Sequence, residues 1–102
     1  MAKSVIWSEK AIDDLNSIAH YIARDSTQNA SAVVKKILAT AASLSQFPHL
    51  GAIVPELADP AIRERKVFRY RIIYRVRASE ALILAVLHSR RSFVSLRRRL
   101  RE

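Results

Sequence analysis

Apolar residues in this chain recur every three or four positions as far as Leu44 and every second position in the stretch from Tyr70 to Arg77, and the single Gly and all three Pro stand between, at Pro48, Gly51, Pro55 and Pro60. A helical period followed by a strand period, with the breakers in one segment, predicts helices packed on a sheet. A length of 102 residues suits one domain spanning residues 1–102.

Ser8 reads as an N-cap, with Trp7 before it and Ile12 after it placed for a hydrophobic staple. Ile12, Leu15, Ile18, Ala19 and Ile22 then mark one face of an amphipathic helix over residues 9–24, and Asp13, Asp14 and Asn16 are expected to point away. Asp25 with Gln28 makes a capping box for a second helix striped by Ala30, Val33, Val34, Ile37, Leu38, Ala41 and Leu44. The short link between them makes an antiparallel hairpin.

Beyond the breakers, Tyr70, Ile72, Tyr74 and Val76 alternate with Arg71, Ile73, Arg75 and Arg77. The first set is expected to meet the helices and the second to stand open as a row of arginines. Residues 65–68 read as a preceding strand, residues 78–81 as a turn, and residues 82–87, apolar throughout, as a central strand. Residues 3–7 add an edge strand beside it, residues 92–100 a short terminal helix, and the basic run at 97–101 reads as a mobile arm. The expected fold is α+β, ordered β-α-α-β-β-β, with the helical hairpin packed on one face of a small twisted antiparallel sheet.

Charge follows the same division. The chain carries a formal net charge of +9, yet residues 1–62 hold five basic groups against six acidic ones, while residues 63–102 hold thirteen against three. All but one of those thirteen are arginines, whose planar fork suits carboxylate or phosphate, so an anionic partner is expected. Half the residues are apolar, which excludes a disordered basic tail. With no Cys and three His (His20, His49, His88) there is no disulfide framework, and neither a metal nor another cofactor is expected. The longest apolar run, residues 81–87, is far short of a membrane span, so a soluble, cytoplasmic protein without membrane association is expected.

Several short pieces share one order and spacing: Trp7-Ser8 opening the first helix; Asp14-Leu15, Ile18 and Tyr21-Ile22 along it; Phe47-Pro48 with Gly51; Val54-Pro55-Glu56-Leu57; Arg63-Glu64; the strand from Tyr70 to Val76; and Val86-Leu87-His88-Ser89-Arg90-Arg91. Together they resemble the RelE/ParE superfamily of bacterial type II toxin-antitoxin toxins, a resemblance that extends over most of the chain. The His88-Ser89-Arg90-Arg91 ending is most similar to the ParE, or plasmid-stabilisation, branch. That resemblance implies a non-enzymatic toxin that poisons DNA gyrase by trapping it on cleaved DNA. It also implies a hetero-oligomer with a ParD-like antitoxin, whose carboxy-terminal segment wraps the toxin and holds it inactive. Similarity to the RelE and YoeB branch implies the alternative, a metal-independent, ribosome-dependent mRNA endoribonuclease.

For that alternative, Arg63, Arg65, Arg71 and Arg75 offer a cationic clamp, Arg71 matching the strand arginine that YoeB-like members place on the phosphate. His88 would be the titrating group and Glu56 the base. The terminal His-Tyr pair of YoeB-like members and the lysine-rich loop of RelE-like members are both missing, which favours the gyrase reading. The structural roles are a hydrogen-bonded His88 at a strand end on the face of Leu84 and Val86, a Glu56 that accepts hydrogen bonds from the strand behind it, and core packing for Tyr70 and Tyr74. For docking, Arg71, Arg75 and Arg77, joined by Arg63, Arg65, His88, Arg90, Arg91 and Phe93, form the expected antitoxin or target surface. An amphipathic antitoxin segment would lay carboxylates on the arginines and apolar anchors beside the helical hairpin. Nucleic acid is expected only secondarily.

Overall fold

In the computed structural model, which describes residues 2–90 and 93–101 but not the side chains of Phe93, Ser95 and Arg101, eight elements follow one another. They are β1 (Ser4–Trp7), α1 (Glu9–Ala23), α2 (Thr27–Ser43), β2 (Ala52–Ile53), β3 (Ile62–Val67), β4 (Tyr70–Val76), β5 (Glu80–His88) and α3 (Phe93–Arg101). The strands form one five-stranded sheet in the order β1-β5-β4-β3-β2. The fold is the expected α+β arrangement, with two differences in the sheet. β1 runs parallel to β5, so the sheet is mixed rather than antiparallel. The two-residue β2, within the Pro-rich segment, pairs with β3.

Helix α1 starts where Ser8 accepts the Ala11 amide at 3.1 Å. Ile12, expected as the staple partner of Trp7, is 45% exposed, and Ala11 is buried instead. The cap of α2 is Ser26, not Asp25: Ser26 is extended and accepts the Asn29 amide, while the Asp25 amide still bonds the Ile22 carbonyl at the end of α1. Ala11, Ile37, Ala41 and Leu44 of the hairpin pack against Val67, Ile72, Tyr74, Ile83 and Val86, with Trp7, Leu15, Ile18 and Val33 around them. Apolar area removed from water on this scale is the main source of a small domain's stability.

The opposite face is not open. Val54, Ile62, Ile73, Ala85, Leu87 and Leu96 close a second core, rimmed by Leu57, Leu84 and Leu100. The breaker segment and α3 cover much of that face, because the β4 residue between Arg71 and Arg75 is Ile73, fully buried. The terminal basic run is therefore part of a docked helix, not a mobile arm: Leu96 is buried and Leu100 half-buried at helical spacing.

A bulge in β5 links both cores. Ile73 pairs with Ala85 but Tyr74 pairs with Ile83, which leaves Leu84 unpaired and turned into the second core. His88 consequently shares the helix-side face of Val86 but not the face of Leu84. Asp14, expected to point away, reaches this place: its Oδ2 accepts the Val86 amide at 2.9 Å, and its two oxygens accept from Arg99 of α3 at 3.0 and 2.7 Å.

Candidate functional site

The alternation of β4 places Arg71 on the second face, where it is only 5% exposed. Burial of a guanidinium requires counter-charge, and two carboxylates supply it. Glu56, from the breaker segment, takes Nη1 and Nη2 at 2.7 and 2.9 Å, and Glu64, from β3, takes Nε and Nη2. Hydrogen bonding from Arg71 outweighs partial burial and holds the Glu56 carboxyl below the usual carboxylate range. The same bonds, Glu56 first, raise the pKa of Arg71 further. Lys66, Pro55 and Ser89 complete a shallow cleft over this triad. The triad is thus a buried set of opposed charges in which Nε, Nη1 and Nη2 of Arg71 all meet carboxylates, and it is not part of an exposed arginine row.

The other expected clamp residues do not gather round it. Cross-strand register sets Arg63 against Tyr74 and Arg65 against Ile72, on the helix-side face, whereas Arg71 faces Lys66 and Arg75 faces Ile62 on the other. The sheet therefore separates Arg63 and Arg65 from Arg71 and Arg75, and no four-arginine clamp forms. Arg63 instead ties down the breaker segment, donating to the carbonyls of His49, Gly51 and Pro60. Tyr74 does the same from the core: its hydroxyl donates to the Pro48 carbonyl at 2.8 Å and accepts the Gly51 amide at 3.1 Å. Burial raises the Tyr74 pKa, with the Gly51 bond and the Arg63 and Arg65 charges opposing.

His88 pairs across the ladder with Tyr70, one position from the Arg71–Leu87 pair, and so lies on the opposite side of the sheet from Arg71. Its ring stands edge-on to Tyr70 at a centroid distance of 5.7 Å, and its Nδ1 accepts the Arg90 amide at 3.1 Å. Among the described residues no cluster of three or more His, Asp or Glu could hold a metal ion.

What remains of the arginine row is a patch at the far end of the second face. Register places Ile6, Leu82, Arg75 and Ile62 side by side across β1, β5, β4 and β3, flanked by Ser4, Glu80 and Arg77. Ile6 is 42% exposed, Arg75 makes no ion pair among the described residues, and Arg77 holds Glu80 at 3.0 Å in a solvent-exposed pair. Arg90 is exposed at the opposite end of the sheet, and the expected contacts through Arg91 and the Phe93 side chain lie outside the described residues. Two features went unseen in the sequence, the Glu64 arm of the triad and the Asp14–Arg99 pair. Glu64 was legible as the one acidic residue in a basic strand, whereas nothing local marks Asp14.

The family model for the ParE toxin of the type II parDE toxin-antitoxin system matches residues 5–93. Among solved structures, the chain is similar to one from the chromosomal ParDE system of P. aeruginosa, at 27% identity and a TM-score of 0.71 over 85% of this chain and 96% of that one. It also shares its fold with the RelBE2 toxin-antitoxin complex of Mycobacterium tuberculosis, at 21% identity and a TM-score of 0.58 over 86% of this chain and 99% of that one. A double mutant of E. coli toxin RelE in the free state matches at 18% identity and a TM-score of 0.66, over 96% and 98% of the two chains. No curated protein matches.

Proposed function

Since the chain belongs to the ParE toxin family of type II toxin-antitoxin systems, we propose that it poisons DNA gyrase in the cytoplasm without cutting nucleic acid, and that a ParD-like antitoxin neutralises it in a hetero-oligomer. One observation carries the choice between branches: the sheet separates His88 from Arg71. A nuclease of the alternative kind must bring a proton donor or acceptor and a phosphate-holding cation to the same phosphate. Here His88 is on the face opposite Arg71, the arginine that matches the phosphate-holding position of that branch, and the Arg71 guanidinium is held by Glu56 and Glu64. Glu56 is a weakened base besides, because its lowered pKa reduces its pull on a ribose hydroxyl proton.

The patch of Ile6, Leu82, Arg75 and Arg77 suits the antitoxin, with apolar anchors beside two arginines that a carboxylate-bearing amphipathic segment can reach. The decisive experiment adds the purified protein to DNA gyrase and supercoiled plasmid. Accumulation of cleaved DNA supports the proposal. Unimpaired gyrase together with mRNA cut on translating ribosomes would establish the endonuclease instead.

A further inference from the structure

The end of the sheet away from that patch carries a cleft of about 540 Å³ lined by Ser17, Ile18 and Tyr21 of α1, Arg69 and Tyr70 of the β3–β4 turn and β4, and His88 of β5. Its volume is in the range of small-ligand sites. None of the described residues lining it is acidic, and none makes an ion pair with Arg69.

The aromatic groups have a specific arrangement. Tyr70 and His88 meet at 80°, forming a corner that can stack a flat ring on one plane and meet its edge with the other. Tyr21 stands at the lip, 68% exposed, and belongs to neither core. A backbone amide can only donate, so the Arg90 amide on Nδ1 of His88 leaves the neutral ring's proton on Nε2. That Nε2–H and the hydroxyls of Tyr21 and Tyr70 have no hydrogen-bond partner among the described residues. The cleft therefore offers stacking faces, three donors and one cation.

The β3–β4 turn beside it is strained. Phe68 and Arg69 connect the paired residues Val67 and Tyr70, and Phe68 adopts φ 54° while 67% exposed. The two-residue loop requires a positive φ there, and a bulky residue in that conformation holds the turn, and Arg69 with it, in one tight geometry beside the cleft.

A ligand complementary to these groups is planar, rich in hydrogen-bond acceptors and anionic. We propose that this cleft binds a nucleotide, its base stacked in the corner of Tyr70 and His88 under Tyr21 and its phosphate on Arg69. The same chemistry is presented by a free mononucleotide and by one residue of single-stranded nucleic acid. The site lies on the opposite face from the Arg71 triad and holds whether or not gyrase is the target.

The test titrates the full-length protein with dAMP and AMP by calorimetry, and with fluorescent dT10 and rA10 by anisotropy, with inorganic phosphate and a deca-glutamate peptide as controls. Tyr21→Ala and Arg69→Ser alter exposed side chains, and an unchanged circular dichroism spectrum and urea midpoint establish that they fold. Binding of at least one nucleotide probe, weakened about tenfold by each substitution, with inorganic phosphate and the peptide ineffective, supports the site. Tighter binding of the oligonucleotides than of the mononucleotides identifies nucleic acid as the source, and the reverse identifies a free nucleotide. Absence of binding by every nucleotide probe, binding indifferent to either substitution, or equal competition by phosphate or deca-glutamate overturns the proposal.

Discussion

Arg99 and Asp14, 85 positions apart, form a bidentate ion pair of 3.0 and 2.7 Å, and the same carboxylate accepts the Val86 amide of β5 at 2.9 Å. One side chain thereby joins the helical hairpin, the central strand and the terminal helix.

That shared carboxylate predicts an order of destabilisation. Arg99→Ala removes a charge-assisted pair and is expected to cost about 1.5 kcal/mol. Asp14→Asn keeps an acceptor for Val86 and is expected to cost a similar amount. Asp14→Ala also strands the Val86 amide and is expected to cost about 3 kcal/mol. Urea denaturation of the three variants checks the ranking.

The Arg71 triad predicts an asymmetry between breaking and replacing it. Arg71→Ala leaves Glu56 and Glu64 crowded without counter-charge, and a loss of about 3–5 kcal/mol is expected. Replacing all three by Met, Leu and Leu removes the buried charges together and is expected to retain most of the stability. Comparing the two by thermal and urea unfolding distinguishes a structural ion cluster from a site kept for chemistry.

Acid sensitivity follows from the same cluster. The folded-state pKa of Glu56 is below its unfolded value, so the carboxylate's contribution to stability is full above the ordinary glutamate pKa. It disappears as the pH falls through the folded-state value. Urea midpoints measured from pH 7 downward are expected to fall in acid for the native chain, and Glu56→Gln is expected to flatten part of that slope.

Much of this fold was legible because its signals are local. The 3.6 period identifies both helices, the period of 2 identifies β4 and the unbroken apolar run identifies β5, and the shared face of Tyr70, Ile72, Tyr74 and Val76 follows from alternation alone. What was not legible depends on contacts between distant positions. Strand periodicity says that Arg71 shares a face with Arg75 but not that Glu56, fifteen residues earlier in a loop, closes over it. The bulge at Leu84 is silent in a run where every residue is apolar, so alternation alone puts His88 on the face of Leu84. Exposure of Asp14 is the default reading for a helix aspartate next to Asp13, and the contacts with Val86 of β5 and Arg99 of α3 reverse it.

Gly51 has a packing reason. A Cβ there would lie 2.5 Å from the Tyr74 hydroxyl oxygen and 2.6 Å from the Glu64 carbonyl oxygen, and the latter is backbone. Gly51→Ala is expected to cost about 1–3 kcal/mol through overpacking. Tyr74→Phe, which leaves the Gly51 amide and Pro48 carbonyl unpaired, is expected to cost a comparable amount. If both act on one contact, the double variant loses less than the sum of the singles, as a double-mutant cycle in urea can read.

The proposed antitoxin surface predicts different kinetic effects for its charged and apolar parts. Arg75 lies between Leu82 and Ile62 in the cross-strand row, half-exposed and without an ion-pair partner among the described residues, so it can attract an approaching carboxylate. Arg75→Glu is expected to slow association with the antitoxin about tenfold at low salt, with the difference shrinking as salt screens the field. Ile6 can act after contact, as an apolar anchor already exposed on an edge strand. Ile6→Ser is expected to leave association nearly unchanged and speed dissociation, because apolar contacts form only in the docked complex. Stopped-flow association and surface-immobilised dissociation, measured at two salt concentrations, separate the effects. Equal association rates for Arg75→Glu and the native chain at low salt would remove this patch from the antitoxin interface.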